Sequence, residues 1–441
     1  MKSLFSRLMD TATRTSAEGR SLQFAELQRQ GPPEFVSVPA SRLSGKRAGM
    51  VAFSSYPADP RPRRAAEALL REGMSIDLIC QADDRLPPRE TRGAADVTRI
   101  PIRHYRGGAL SYAYQYFTFI AISALILAWR TLRKRYDLIY VHNMPDILVI
   151  SALIPKLFGA KVILDQHDPM PELMTTIFNK SATSFAVEVI RRLEKWSIGR
   201  ADRVITVNEA CRKIFCGRSC GAEKLAVIMN SPDGNIFRYR AATSYTVRSS
   251  SAPFVMMYHG SLVERNGLAL AVEALAGLLR TIPQAELRIY GKSTPYLEGV
   301  MEKVRELGLE KNVSYRGARK LEELVGEIEA CDVGVIPNLR NTFTDINTPT
   351  RIFEYLALGK PVIAPNTPGI RDYFGPESLI LFESGDPDDL IKAMAFAASY
   401  PEKAVEKAER GQQVYLDHSW QREREDLVNL VADLVSKAKL N

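Results

Sequence analysis

A chain of 441 residues, 46% hydrophobic and 25% charged, is too long for one growing core and too apolar to be disordered, so two domains are expected. A formal charge of +8 and a pI near 9.1 favour anionic partners. Nucleotide phosphates and lipid headgroups rank above nucleic acid, because the cations are scattered and no nucleic-acid motif accompanies them. Five cysteines without paired spacing argue against a disulfide framework, and no histidine stands near Cys211, Cys216 and Cys220 to complete a zinc site. Reduced thiols in a cytoplasmic compartment are the expectation.

Residues 1–46 read as a polar extension with no secretory apolar run. Short apolar stretches then predict a strand over 50–56, a helix over 64–71 and a strand over 75–80. Residues 112–129 are almost wholly apolar, and Arg130, Arg133, Lys134 and Arg135 follow them. That length is borderline for crossing a bilayer. Strands on both sides must belong to one sheet, so a buried or interfacial helix is expected, with its basic end suited to an anionic membrane surface. Strands follow over 137–143, 161–165, 203–208 and 225–229, with a helix over 146–158 closed by Gly159. The Ser- and Arg-rich stretch 239–253 has no periodicity and reads as a linker.

The pattern restarts with strands over 254–259, 286–290, 313–315, 333–336, 362–364 and 379–382, and helices over 268–282, 296–307, 386–398 and 421–439. Alternation of this kind implies α/β architecture: two Rossmann-like domains, each a parallel sheet with crossover helices. The domains expected are 47–238 and 254–410, followed by a C-terminal segment 411–441.

Ligands of open parallel sheets bind beyond the carboxyl ends of strands. The residues standing there are His142-Asn143 and Gln166-His167-Asp168 in the first half, and His259-Gly260-Ser261, Gly291-Lys292 and Gly317 in the second. In the loop 259–267, glycines allow close approach of backbone to an anion and Arg265 offers a bidentate cation, although an ordinary turn with a solvated arginine has the same composition. In the segment 347–364, Thr348 suits an N-cap, Pro349 the first helical position and Gly359 the stop. Thr350 and Glu354 then share a face, where a carboxylate can accept both hydrogen bonds of a ribose diol. The competing expectation is a surface Glu354 paired with Arg351.

The string Phe353-Glu354-Tyr355-Leu356-Ala357-Leu358-Gly359-Lys360-Pro361-Val362-Ile363-Ala364 resembles the retaining, metal-independent nucleotide-sugar glycosyltransferases of the two-Rossmann GT-B type. Residues 56–61, 201–207 and 258–263 are similar to the same family, and the likeness runs from about Gly49 to Leu434. The resemblance implies two sheets facing an interdomain cleft, with acceptor on the first domain and donor on the second. It also implies a C-terminal helix crossing back to the first domain. Glu354 matches the second glutamate of the family's E-x7-E motif and would bind the donor ribose. Arg265 would meet the diphosphate, His167 the reacting sugar, and Gly317 and Ala318 the base. Gly260, Ser261, Gly291, Thr348 and Thr350 complete the expected donor side, and Arg61, His142 and Asp168 the acceptor side. The substrate would be a UDP- or GDP-linked sugar, with no cofactor and no metal. The acceptor would be a carbohydrate or a lipid-linked precursor, reached from the cytoplasm or peripherally at the inner face of the membrane.

Departures from the family pattern lie around sugar and phosphate. Ile346 stands at the first glutamate of E-x7-E with Asp345 beside it, and Ser261 and Asn266 stand where basic residues are usual. They keep open a non-catalytic partner subunit of the same fold; a sugar-nucleotide epimerase is the nearest enzyme rival, but it needs several carboxylates around the sugar and the segment before Glu354 lacks them. A dinucleotide oxidoreductase is disfavoured, because Ser54-Ser55-Tyr56-Pro57 replaces the glycine fingerprint after the first strand.

Overall fold

The computed structural model describes residues 41–83, 85–102, 109–177, 181, 183–242 and 252–436. Most of the expected N-terminal extension, and residues 243–251 of the expected linker, lie outside them. Within 41–46 the chain is already part of the fold: Leu43 is buried in the first core and its N–H donates to the Glu72 carbonyl at 3.1 Å.

Eight strands form the first sheet: β1 (Arg47–Ser55), β2 (Ser75–Gln81), β3 (Arg89–Arg92), β4 (Ala95–Ile100), β5 (Leu138–His142), β6 (Lys161–Gln166), β7 (Arg203–Thr206) and β8 (Leu225–Val227). Their order is β3-β4-β2-β1-β5-β6-β7-β8, parallel except for the antiparallel β3–β4 pair. The central strands are apolar on both faces because helices cover both sides. The strand Arg89–Arg92 has no apolar residue and was not expected from the sequence; it is an edge strand whose charges keep it soluble.

The second sheet has six parallel strands: β9 (Phe254–His259), β10 (Ala285–Tyr290), β11 (Val313–Tyr315), β12 (Val333–Val335), β13 (Val362–Pro365) and β14 (Ile380–Phe382). Their order is β11-β10-β9-β12-β13-β14. Strand order reverses beside β1 in one sheet and beside β9 in the other, which opens a crevice at each set of carboxyl ends.

The chain changes domain twice, the first time earlier than the sequence suggested. Met229, Phe237 and Ala242 are buried in the second core with Tyr355 and Leu356, so the crossing precedes residue 238. On the return, the helix Pro401–Asp417 still packs on the second core through Ala408 and Tyr415. The helix Trp420–Ser436 is the one that docks on the first core, where Leu427, Val428 and Val431 lie against Ala65, Ala66 and Leu69.

The helix Ala109–Arg133 covers β1 and β5 with polar as well as apolar residues on its inner face. Gln115, Ser123 and Thr131 point inward and are buried, and Ser123 Oγ and Thr131 Oγ1 donate to the carbonyls of Phe119 and Leu127. Tyr114, Phe117, Leu125, Trp129 and Leu132 point outward and are exposed. The helix is long and apolar enough to cross a membrane, yet Phe119 and Leu127 are fully buried against the sheet.

Leu427 tests the docking of the C-terminal helix. Leu427→Ala is expected to destabilise the first domain by about 2–5 kcal/mol, read as a lower urea midpoint for that domain.

Candidate active-site cleft

Register alone places the first group of side chains. Parallel pairing of β5 with β6 sets His142 beside Asp165, and His167 and Asp168 follow at the mouth. Asp59 caps the helix Pro60–Arg71 by accepting from Arg61 N at 3.1 Å. That cap turns Arg61 onto Asp165: Arg61 Nε lies 3.1 and 3.0 Å from the two carboxylate oxygens, and Nη2 lies 2.5 Å from Oδ1. Tyr140 Oη donates to Asp165 Oδ2 at 3.1 Å. Burial works against ionising Asp165, but the Arg61 guanidinium and the neighbouring histidines outweigh it and hold the carboxyl well below the usual range. His142 Nδ1 stands 3.2 Å from Asp165 Oδ2 and 3.2 Å from His167 Nε2. Burial pushes His167 down to about 3, so its ring is neutral.

The Asn143 side chain fixes the loop from both sides. Asn143 Oδ1 accepts from His167 N at 2.8 Å, and Asn143 Nδ2 donates to Asp146 Oδ1 at 2.9 Å. Asp146 is enclosed, and burial raises it to about 7.

In the second domain, three glycines bring the ends of β9, β10 and β11 together. Gly260 sits at φ 126. A Cβ on Gly291 would lie 2.3 Å from the Gly260 carbonyl oxygen, so only glycine fits there. Gly291 N in turn donates to Gly317 O at 3.1 Å. Ser261 and Ala318 are exposed beside this floor. Arg265 lies in a short 3₁₀ turn, Glu264–Asn266, and its charge reaches Asp168 across the cleft.

The helix carrying Glu354 begins one residue later than expected. Thr350 is its first residue and Pro349 its cap position, while Thr348 Oγ1 donates to the Gly369 carbonyl at 2.7 Å instead of capping. Proline offers no side-chain cap, so Thr348 instead ties this loop to the next strand's exit. Glu354 is not paired with Arg351. Its Oε2 lies 2.5 Å from His259 Nε2, and His259 Nδ1 lies 2.9 Å from Tyr355 Oη, which donates to the Met257 carbonyl at 2.8 Å. Arg351 instead donates to the His259 carbonyl at 2.8 Å and to Asn338 at 3.1 Å, over the Tyr258 ring. Sequence reasoning placed His259 among the residues at the strand ends but gave it no role, and considered Arg351 only as a partner of Glu354.

Between the domains lies a cleft of about 240 Å³. Arg61, His167 and Asp168 line it from one side and Thr348, Thr350 and Phe353 from the other, with Asn208 and Asn230 between them. Five expected site residues therefore meet there. Gly260, Ser261, Arg265, Gly291, Gly317, Ala318 and Glu354 are not among its lining residues, and neither is His142. Ile346 packs against the first domain's apolar cluster, and its carbonyl accepts from Asn208 Nδ2 at 2.9 Å. Asp345 does not substitute for a glutamate at that position, because it accepts from Arg340 Nε at 3.0 Å on its own loop. His142, Asp165 and His167 offer metal-ligand atoms within 4.8 Å of one another, but the Arg61 guanidinium already supplies the positive charge that Asp165 needs.

Comparison with known proteins decides the family. Residues 58–231 match the model of the glycosyl transferase 4-like domain, and residues 253–399 match that of the glycosyl transferases group 1. The chain belongs to these glycosyltransferases. It is 24% identical to the D-inositol 3-phosphate glycosyltransferase of Corynebacterium urealyticum, over 84% of this chain and 89% of that one. The match to the enzyme of the same name from Corynebacterium jeikeium, 28% identical, spans 44% of this chain and 47% of that one. Sucrose-phosphate synthase from Thermosynechococcus elongatus superposes with a TM-score of 0.71 at 19% identity, over 89% of this chain and 100% of that one. The Anabaena HepE protein in complex with UDP gives 0.64 at 19% identity, over 89% and 100%. The architecture of this glycosyltransferase is thus the GT-B fold.

Asp146 gives the glycosyltransferase a pH signature. Its folded pKa lies above the unfolded value, so its contribution is present below about pH 4 and lost as pH rises through about 7. Asp146→Asn removes this loss. Across that window the parent should fall behind the variant by up to about 4 kcal/mol, measured by urea unfolding at a series of pH values.

Proposed function

We propose that this glycosyltransferase moves a sugar from a UDP- or GDP-linked donor to a carbohydrate or lipid-linked acceptor, with retention of configuration and without a metal. The observation that carries the reading is the cleft, where Thr348 and Thr350 of the second domain face Arg61, His167 and Asp168 of the first. Glu354, aligned by His259, is the ribose ligand. The negative charge that develops on the departing diphosphate is stabilised by Arg265, and the glycine floor at Gly260 and Gly291 lets it approach the backbone closely. Gly317 and Ala318 border the base. The solved HepE complex, which holds UDP on the same fold, supports a nucleotide-sugar donor. His167, being neutral, acts by hydrogen bonding to the sugar and not by charge.

Thermal unfolding against UDP, GDP, ADP and their sugar conjugates tests this. Ligand at 100 times its Kd should stabilise the parent by about 2.7 kcal/mol, a shift of a few degrees, which Glu354→Ala abolishes. No shift with any nucleotide would instead favour a non-catalytic partner subunit.

The acceptor side works at an anionic membrane surface. Three neighbouring elements, Ala109–Arg133, Asp146–Leu157 and Phe185–Arg200, bury their inner faces in one core and leave apolar outer faces. Phe117, Leu157 and Phe185 are 74%, 81% and 84% exposed. Arg133 lies over the Trp129 ring and Arg200 over the Trp196 ring, a pairing suited to the headgroup boundary. Sedimentation with vesicles containing phosphatidylglycerol should bring the protein down, and reversing the charge of Arg133, Lys134 and Arg135 should release most of it. Equal binding to neutral vesicles by parent and variant would contradict the electrostatic part.

A further inference from the structure

Two histidine rings touch at the floor of the cleft, and their hydrogen bonds admit one sensible arrangement of protons. Asp165 is ionised and can only accept. It is surrounded by donors: the Arg61 guanidinium, the Tyr140 hydroxyl at 3.1 Å and His142 Nδ1 at 3.2 Å. The nitrogen that faces the carboxylate must therefore carry the hydrogen, so His142 is protonated at Nδ1. His167 Nε2 lies 3.2 Å from His142 Nδ1 and is placed to share that one hydrogen with the carboxylate. A neutral ring with a bare Nε2 holds its proton on Nδ1. The opposite arrangement would set a lone pair on His142 Nδ1 against the carboxylate. It would also bury an N–H at His142 Nε2, an atom that has no partner in the structure.

We propose that His142 is a positioning residue that fixes His167 as the Nδ1–H tautomer, so that His167 meets the cleft as a hydrogen-bond donor and not as a base. No protein acceptor for His167 Nδ1 is found among the described residues, and the ring is 21% exposed on the cleft. The group it is built to meet is therefore an oxygen of the bound sugar or of its leaving group. His167 does not take the acceptor's proton in this arrangement. The consequence for catalysis rests on the glycosyl-transfer reading of the cleft; the tautomer does not.

Nitrogen-15 NMR of the full chain, labelled at histidine, reads the tautomer directly, and with 5 histidines in the sequence His167→Gln assigns the signal. The parent should show His167 protonated at Nδ1 and bare at Nε2. His142→Asn places an amide N–H near the position of Nδ1 and should keep that tautomer. His142→Phe keeps an aromatic ring on Tyr140 but removes the donor, and should move the His167 proton to Nε2. In turnover with the nucleotide sugar selected by thermal shift, His142→Phe should lower kcat at least about tenfold with the donor KM unchanged, and His142→Asn should recover most of it. A parent His167 protonated at Nε2, a tautomer unmoved in His142→Phe, or a stoichiometric metal ion in the purified protein would each overturn the proposal. If the tautomer is as expected but no nucleotide binds, the reading of the cleft fails while the assignment of His167 stands.

Discussion

The buried ion pair between Arg61 and Asp165 is the constraint on which the first half of the site depends. Arg61 projects from the first turn of a helix on one face of the sheet, and Asp165 ends a central strand, β6. Both are almost fully enclosed, and Arg61 Nη1 also donates to the Ile228 carbonyl at 3.1 Å, where the chain is about to leave the domain. One guanidinium therefore ties a helix, a strand and the first crossing segment together. Such a pair is not stabilising merely because it is buried, but removing either partner leaves an uncompensated charge and costs about 3–5 kcal/mol. The same carboxylate holds Tyr140 and His142, and His142 in turn meets His167. The chemistry at the mouth of the cleft inherits its orientation from this pair.

The second domain holds one carboxylate through a chain of hydrogen bonds instead of a guanidinium. Met257, Tyr355, His259 and Glu354 form a relay from the backbone of β9 to the surface of a helix, and each link lies at hydrogen-bond distance. The relay fixes Glu354 with its second oxygen free of this chain of bonds. Arg351, one turn of helix earlier, is held by the His259 carbonyl and Asn338, which keeps it from neutralising Glu354. Ile346 shows what the departure from the family pattern does here. An apolar side chain at that position contributes to the seam between the domains, where Tyr373 Oη also accepts from Glu209 N at 2.8 Å. Ile346 thus helps to hold the two halves together.

The helix Ala109–Arg133 carries Ser123 and Thr131 inward and Tyr114, Phe117 and Trp129 outward, and the two buried hydroxyls are satisfied by their own helix carbonyls. Sheet-facing Phe119 and Leu127 still supply the packing. The carboxyl ends of the first domain's strands open on the cleft, and the flank of its sheet presents apolar side chains to the outside.

Much of the architecture was legible in the chain, for a physical reason. Strands buried on both faces are short apolar runs, and the expected limits of β9 and β11 agree with the structure to the residue. The helix stop at Gly359 was legible too, because a left-handed residue at φ 72 is a local demand. The clustering of Arg61, His167, Asp168, Thr348 and Thr350 followed once the strand ends were known. What sequence reasoning missed is long-range or depends on competition among partners. The strands β3 and β4, the first crossing point, and the choice of His259 over Arg351 as partner of Glu354 have no local signature. Arg61 and Asp165 are separated by 104 residues, and Glu354 and His259 by 95. By itself the sequence determined which segments become strands and which residues stand at their ends, because burial and backbone conformation are set within a few residues. Only the tertiary structure decided which charged and polar groups meet, because a buried carboxylate takes the donor that packing brings to it and not the nearest one along the chain.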